Sequence, residues 1–294
     1  NTQKQNNIIC ATTELFHPGV WNLNLCFDYK NAKLPFMLKF KKNTLYVNSS
    51  RSDLDFFGKI NYSPLQNLNL FFGFDYLAQV LDLQGATLHR FEFVLGSNCE
   101  FNNWSLSFDS SLVFCDEGVY VPFEIASKFQ IDKIKIGFNG GIKSRAADIV
   151  FLSTKNAKTD FNDLCAEESF FFVNANSKLQ LDDTFAFLFM VEYQKTIFDN
   201  GFVSPLSDFS VQIINRHKVN SSLSFVTDLS KVNFALTWNA FWLDKKYMDL
   251  PHELNFYVSF MPIKKIKIDF GVIDIIQMLR AKAGGFTLSG AFYF

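Results

Sequence analysis

The feature of this sequence that most constrains its fold is a repeated alternation of apolar and polar side chains. Between residues 21 and 29 the odd positions are apolar or aromatic, and the even positions hold Asn22, Asn24, Cys26 and Asp28. The same period of two returns at residues 54–62 and 68–76, which are separated by the short segment 63–67. A period of two is typical of a strand with one apolar face. Two such segments around a short polar connection predict a hairpin.

This alternation continues through the chain and predicts fifteen strands. Besides the three segments above, we expect strands near residues 34–40, 88–99, 104–114, 119–130, 134–143, 169–180, 184–194, 209–227, 232–242, 253–261, 266–274 and 286–294. Helical spacing occurs at Val272, Ile275, Ile276 and Leu279, ahead of Gly284 and Gly285, and we place that segment in a loop.

The connections between the predicted strands fall into two classes. Tight turns are expected at residues 30–33, 63–67, 100–103, 131–133, 181–183, 228–231 and 262–265. Longer segments are expected at residues 77–87, 144–168, 195–207, 243–252 and 275–285. This asymmetry is typical of outer-membrane barrels, in which short turns face the periplasm and long loops face outside.

The composition favours a membrane barrel over membrane helices. The chain has 294 residues, of which 37 are Phe and 17% are aromatic, and its net charge is −1. Its longest apolar runs, such as residues 185–191, are far shorter than the roughly 20 residues of a membrane helix. A spanning structure must then be a closed barrel. The balanced charge gives no basic face for nucleic acid.

The predicted fold class is therefore all-β, a transmembrane antiparallel up-and-down β-barrel. A single-chain bacterial barrel has an even number of strands, so we expect about 14 strands, within a range of 12 to 16. The barrel is assigned to residues 20–294. Residues 1–19 form an N-terminal segment that is either periplasmic or a first strand.

The carboxyl-terminal segment, residues 286–294, resembles the closing strand of bacterial outer-membrane β-barrel proteins. It alternates in the same way and ends on Phe294, although Ser289 stands where that family often has glycine. The resemblance implies residence in the bacterial outer membrane and recognition of this strand by the barrel-assembly machinery. The residues of this implied insertion signal are Phe286, Leu288, Gly290, Phe292 and Phe294.

If the apolar parity faces lipid, the opposite parity lines the interior. A basic residue facing hydrocarbon near the midplane costs about 2 to 4 kcal/mol, so the charged positions are assigned inward. The predicted lumen-lining residues are Lys39, Lys59, Asp75, Arg90, Glu92, Asp109, Glu124, Lys128, Lys135, Lys267 and Asp269. No ring of one sign emerges, and charge pairs with a structural role are the simpler interpretation.

The inward parity also carries apolar residues, which suggests a second function. The predicted hydrophobic lumen consists of Phe57, Phe71, Tyr120, Phe172, Leu188 and Phe241. Such residues could line a path for a hydrophobic substrate, or they could pack against inward-folded loops or a plug. In strand number and aromatic content the chain resembles the fatty-acid and aromatic-hydrocarbon transport barrels, although the amino-terminal hatch and Asn-Pro-Ala motif of the fatty-acid transporters are missing from this sequence.

The predicted function is a channel or transport protein for small solutes across the outer membrane, with outer-membrane lipids, a small-molecule solute and the assembly machinery as partners. The alternatives are a transporter of hydrophobic molecules, a structural, adhesive or assembly barrel, and a surface hydrolase. We expect no enzyme, cofactor or metal, because His17, His89, His217 and His252 are scattered and lack ligand spacing. The sequence leaves the oligomeric state and the pairing of its five cysteines open.

Overall fold

The computed structural model describes residues 21–40, 43–81, 86–115, 118–146, 150–154, 166–201, 209–213, 217–227, 229, 231–243, 252–263, 265–279 and 284–293. Seventeen strands and one short helix cover almost all of these residues. The strands are β1 (Trp21–Phe40), β2 (Asn43–Leu65), β3 (Leu68–Leu81), β4 (Ala86–Phe101), β5 (Trp104–Cys115), β6 (Gly118–Tyr120), β7 (Phe123–Ile131), β8 (Ile134–Ala146), β9 (Val150–Thr154), β10 (Ala166–Gln180), β11 (Phe185–Gly201), β12 (Phe209–Ile213), β13 (His217–Thr227), β14 (Val232–Leu243), β15 (His252–Ile263), β16 (Ile266–Ile273) and β17 (Gly285–Tyr293).

The sheet closes on itself as an antiparallel barrel with fourteen wall positions, which confirms the predicted fold class. Closure is made by β17, which pairs with β1 from Asn24 opposite Tyr293 to Ala32 opposite Gly285. The strands β6 and β7 occupy one wall position, because both pair with β5. Pro122 lies between them, where its missing N–H interrupts the ladder. The strands β9 and β12 pair with each other beyond the wall.

Several predicted boundaries are wrong. The predicted strand 119–130 is divided into β6 and β7. The predicted long segments 77–87 and 195–207 are shorter than expected, because β3 continues to Leu81, β4 begins at Ala86 and β11 continues to Gly201.

Residues 34–40 are no separate strand but the continuation of β1, and the predicted turn at 30–33 is extended backbone that pairs with β2. The polar residues there, such as Lys30 and Asn31, suggested a turn but are accommodated by the cross-strand ladder. The predicted strand 209–227 is instead β12 and β13, with residues 214–216 outside the described part.

The two ends of the barrel differ as predicted. Short connections join β2 to β3, β4 to β5 and β7 to β8 at one end, which we call the turn end. The longer connections lie at the opposite end, which we call the loop end. One of them contains α1 (Ile275–Leu279), the segment with helical spacing. None of the described helices is long and apolar enough to cross a membrane.

Burial follows the alternation along each strand. On β3, Leu70, Phe72 and Phe74 point outward and are 37% to 43% exposed, whereas Asn69 and Gln79 on the opposite parity are almost fully buried. The exposed apolar side chains surround the barrel from Trp21 to Phe292. Such an apolar surface is costly in water and suits hydrocarbon, while the polar side chains occupy the interior.

The β1–β2 hairpin extends past the wall at the loop end. The pairing of β1 with β17 stops at Ala32, whereas the pairing of β1 with β2 continues to Phe40 opposite Asn43. Residues Met37–Phe40 also pair in parallel with β9, which follows β8 after only residues 147–149. In the ring, β8 and β10 lie across the barrel from β1. The hairpin tip, β9 and β12 therefore form a strap over the loop-end opening.

Candidate functional site in the barrel interior

The predicted lumen-lining residues fall on the inward parity wherever their side chains are described. Lys59, Asp75, Arg90, Glu92, Asp109, Glu124, Lys267 and Asp269 are half-buried or buried, whereas Lys128 and Lys135 are exposed near the turn end of β7 and β8. The side chain of Lys39 lies outside the described part. That these residues line a conducting path stays a prediction.

Arg90 reaches across the interior from β4 to β8. Its guanidinium donates to the backbone oxygen of Ser144 at 2.6 Å and to the Ser144 hydroxyl at 3.1 Å, and it lies 3.7 Å from Glu92. Two further wall positions, occupied by β5 and by β6 with β7, separate these strands. Arg90 is therefore a strut that partitions the interior, and Val113 of β5, on the enclosed side, is fully buried.

A second network fills the interior next to this strut. Glu124 of β7 forms an ion pair of 2.6 Å with Lys143 of β8 and accepts a hydrogen bond of 2.7 Å from Asn139. The Lys143 ammonium also lies 4.0 Å from the ring centre of Phe172. Phe170 contacts Phe172 in a T-shaped arrangement, and both rings are almost fully buried. These contacts give one side of the barrel a packed core.

The other side carries an acidic arc, which we define as Asp28, Asp53, Asp55, Asp75, Glu92 and Asp269. Asp28 of β1 lies directly opposite Asp55 of β2, and Asp75 of β3 lies directly opposite Glu92 of β4. Like charges directly opposite each other destabilise a sheet. The arc is partly compensated, because Lys267 lies 3.1 Å from Asp269 and Gln79 donates to Asp53 at 3.2 Å.

The predicted hydrophobic lumen residues are not gathered in one place. Phe57 lies opposite Asp75, Phe71 lies opposite Asn61, and Lys59 stands between the two rings on the same wall. The Lys59 ammonium lies 4.2 Å from the centre of the Phe71 ring. Leu188 is on β11, and the fully buried Phe172 is on β10. Tyr120 is half-buried in β6, and the Phe241 side chain is outside the described part.

Glycines let two of the inward rings lie flat against the wall. Phe71 lies directly opposite Gly96, and a Cβ on Gly96 would meet the Phe71 ring at 2.2 Å. Tyr257 has the same relation to Gly271, where the distance would be 2.4 Å. Covering a strand glycine with an aromatic ring is a known device of barrel walls. These rings therefore lie against the barrel wall and do not fill the space near the barrel axis.

Amide side chains extend the polar lining on β10, β11 and their neighbours. Asn176 donates to Asn174 at 3.1 Å, Asn174 donates to Glu192 at 3.4 Å, and Gln194 contacts the same carboxylate. Asn220, Asn239 and Asn255 are buried on the following strands. The described part of the chain holds no cluster of His, Cys, Asp and Glu suited to a metal ion.

Sequence reasoning missed Asp28, Asp53 and Asp55 as site residues. Their inward parity was already available in the alternation, since Asp28 falls between Phe27 and Tyr29. What the sequence did not contain was the register that sets Asp28 against Asp55. Cys26, Cys99 and Cys115 form no disulfide bond, and Cys10 and Cys165 lie outside the described residues.

The residues of the implied insertion signal belong to the strand that closes the barrel. Phe286, Leu288 and Phe292 are exposed on the outer face of β17, Gly290 shares their parity, and Phe294 lies outside the described part. Residues 1–20, which include the predicted N-terminal segment, also lie outside it.

No protein-family model matches the sequence, and no curated protein matches it significantly. Solved structures do match. A deletion mutant of the monoaromatic hydrocarbon channel TodX has a TM-score of 0.59 at 8% identity, over 96% of this chain and 91% of that chain. The monoaromatic hydrocarbon channel CymD has a TM-score of 0.53 at 10% identity, over 94% of this chain and 88% of that chain.

A third match is an outer-membrane channel from Pseudomonas putida F1, with a TM-score of 0.51 at 8% identity, over 96% of this chain and 99% of that chain. Identities this low establish a likeness of fold. The chain has the fold of outer-membrane β-barrel channels, as its carboxyl-terminal strand suggested.

Proposed function

We propose that this protein is a channel of the bacterial outer membrane for small water-soluble solutes, and that its path follows the acidic arc. The observation that carries the proposal is the division of the interior. The Arg90 strut and the Glu124–Lys143 network occupy the side from β4 to β8. The arc lines β16, β1, β2 and β3 and meets the strut at Glu92 of β4.

The charge of the arc favours cations over anions. Its six carboxylates are accompanied on the same strands by the inward Lys30, Lys59, Arg90 and Lys267, which leaves an excess of negative charge. The Oδ1 atom of Asp55 is buried with no hydrogen-bond donor among the described residues. A passing cation is attracted by the carboxylates of the arc and an anion is repelled by them, so a cation gains more from this wall than an anion does.

Conductance across a planar bilayer tests this function directly. Refolded full-length protein is expected to give stepwise conductance, and a KCl gradient is expected to give a reversal potential of the sign for cation preference. D28N/D55N should shift that potential toward the value of an unselective pore. The control variant E192Q removes a carboxylate charge on the opposite wall, outside the arc, and should shift the reversal potential less. A barrel without conductance would refute the channel.

The alternative path for hydrophobic molecules has weaker support. Two of the similar structures are named as monoaromatic hydrocarbon channels, and inward rings are present here. However, the Phe71 and Phe172 rings are covered by the ammonium groups of Lys59 and Lys143. Leu188 of β11 lies across the ring from Phe71 of β3. A hydrocarbon would have to displace charged groups at each ring, which is costly. Unchanged conductance in saturating toluene would support the polar path.

The geometry gives the surface hydrolase no comparable support. The described histidines, His89, His217 and His252, contact aromatic side chains, whereas a hydrolase requires a base within reach of a nucleophile. Our expectation that the protein is not an enzyme stays a prediction, and esterase and protease assays on the folded barrel test it.

We also propose that β17 is the segment recognised by the barrel-assembly machinery. Its outward residues Phe286, Leu288 and Phe292 support this role, because they are exposed on the strand that closes the barrel. F292S/F294S should slow assembly on reconstituted machinery while leaving spontaneous folding in detergent almost unchanged. Equal slowing in both assays would contradict the recognition role.

A further inference from the structure

All three histidines of the described residues lie on the outer face at the loop end. His217 and His252 are the first residues of β13 and β15, and His89 lies near the start of β4. All three side chains are exposed. The sequence does not show this common position, because the three histidines are far apart in the chain. They lie on three strands at different positions around the ring.

Each histidine has an aromatic residue in the same position on the neighbouring strand. His89, His217 and His252 stand opposite Ala78, Lys195 and Ala240. Two positions before each of these partners, on the same outer face, stands an aromatic residue. The three aromatic residues are Tyr76, Tyr193 and Trp238.

The resulting contacts are alike. The Tyr76 hydroxyl lies 2.9 Å from Nδ1 of His89, and the Tyr193 hydroxyl lies 2.8 Å from Nδ1 of His217. Trp238 stacks on His252 with ring centres 5.5 Å apart. We call His89, His217, His252 and these three aromatic residues the histidine belt.

The height of this belt matches the edge of a membrane. The three histidines precede the turn ends of their strands by about 10 to 12 positions, which corresponds to roughly 26 to 31 Å along the axis for strands tilted by about 40°. The apolar band of outer-membrane barrels is about 25 Å tall. At the turn end the band is bounded by aromatic rings, such as Trp21 on Tyr62 and Phe101 on Trp104. The belt therefore lies at headgroup level on the loop side.

The chemistry of the belt suits an anion. A Tyr hydroxyl that donates to Nδ1 fixes the tautomer with a hydrogen on Nε2, and a protonated ring also donates from Nε2. Lys195 lies directly opposite His217, and both are exposed beside Tyr193. One ammonium and one imidazole N–H at adjacent positions match the donors that bind phosphate oxygens.

We propose that the histidine belt binds the phosphate groups of lipid headgroups in the outer leaflet, with Tyr193, Lys195 and His217 as its main site. These side chains are on the outer face of the barrel. The proposed lipid binding is therefore separate from the channel function and does not depend on which solute passes through the interior.

Titration with lipid A that carries two phosphates tests the proposal, with bound lipid counted by native mass spectrometry of the full chain in detergent. The apparent Kd of K195Q/H217Q is expected to rise about tenfold or more, because two donors to a charged acceptor are removed. K231Q/K265Q, which removes two exposed lysines near the turn end, should leave the Kd unchanged. H252Q, which removes one donor elsewhere in the belt, should give a smaller rise.

Three results would overturn the proposal: an unchanged Kd in K195Q/H217Q, an equal loss in K231Q/K265Q, or equal binding of dephosphorylated lipid A by the wild type. Heat-modifiable electrophoretic mobility verifies that each variant is a folded barrel. Single-channel conductance of K195Q/H217Q should match that of the wild type, so failure of the lipid proposal is distinguishable from failure of the channel.

Discussion

Asp28 of β1 and Asp55 of β2 occupy directly opposed positions on two neighbouring strands of the barrel wall, and both side chains point inward. Directly opposed like charges oppose folding. A second pair of opposed acidic residues, Asp75 and Glu92, lies on the neighbouring strands β3 and β4.

Replacing one member of the pair is therefore expected to stabilise the barrel. D55N keeps the size and hydrogen-bonding capacity of the side chain but removes its charge, and we expect the free energy of unfolding in urea to rise by about 0.2 to 1 kcal/mol. E100Q, an exposed carboxylate at the turn end, is the matched control and should change it less. A destabilised D55N would show that both charges are compensated in the folded barrel.

The Arg90 strut makes the interior narrower and more stable. R90A removes the bonds from the guanidinium to Ser144 and leaves the Ser144 oxygen atoms without this donor. Hydrogen bonds made by a charged group contribute about 1.5 to 3 kcal/mol each, so R90A should lower the free energy of unfolding by at least about 1.5 kcal/mol. Single-channel conductance should increase, because the partition is lost. K128Q, an exposed inward lysine on β7, should change neither quantity much.

The strap over the loop-end opening is expected to limit conductance. The wall positions of a 14-strand barrel tilted by about 40° give a diameter of roughly 27 Å. The eight residues 33–40 of β1 extend about 26 Å beyond the wall, which is long enough to bridge most of that opening. Replacing residues 36–47 by Asn-Gly should therefore raise single-channel conductance.

The same Asn-Gly replacement of residues 245–250, another loop-end connection, is the control for the strap. If both deletions raise conductance equally, the effect is one of loop length and not of the bridge between β1 and β9.

The outward parity can be tested by charge substitution on β3. Phe72 is 43% exposed on the outer face and stacks on Phe93, whereas Asp75 faces inward opposite Glu92. Phe72→Lys places an ammonium in hydrocarbon at a cost of about 2 to 4 kcal/mol near the midplane. Asp75→Lys gains a carboxylate partner. We expect folding yield in liposomes to fall much further for Phe72→Lys, and a larger loss for Asp75→Lys would reverse the assignment of the two faces.

The alternation of side chains was sufficient to predict the class of fold, the asymmetry of the connections and the inward parity of most candidate residues. It failed at residues 30–33, where Lys30, Asn31 and Lys33 look like a turn. In the structure these residues continue β1, because their backbone N–H and C=O groups form hydrogen bonds with β2. This pairing continues past Ala32, where the pairing of β1 with β17 stops.

The two-residue period does not show which residues of neighbouring strands lie opposite each other. For that reason the sequence showed Asp28 and Asp55 only as two separate acidic residues, and it showed His89, His217 and His252 only as scattered histidines. The cross-strand register turns the first two into a repulsive pair, and it gives the three histidines one common environment with an aromatic neighbour.

The sequence by itself determined that this chain forms a barrel with an apolar exterior and a polar interior, because a two-residue period sorts side chains to the two faces of any strand. Only the tertiary structure decided which charges meet, where the interior is partitioned by Arg90, and that the β1–β2 hairpin crosses the opening to reach β9. These features depend on closure of the ring, which brings together residues far apart in the chain and fixes their register through hydrogen bonds that no local pattern specifies.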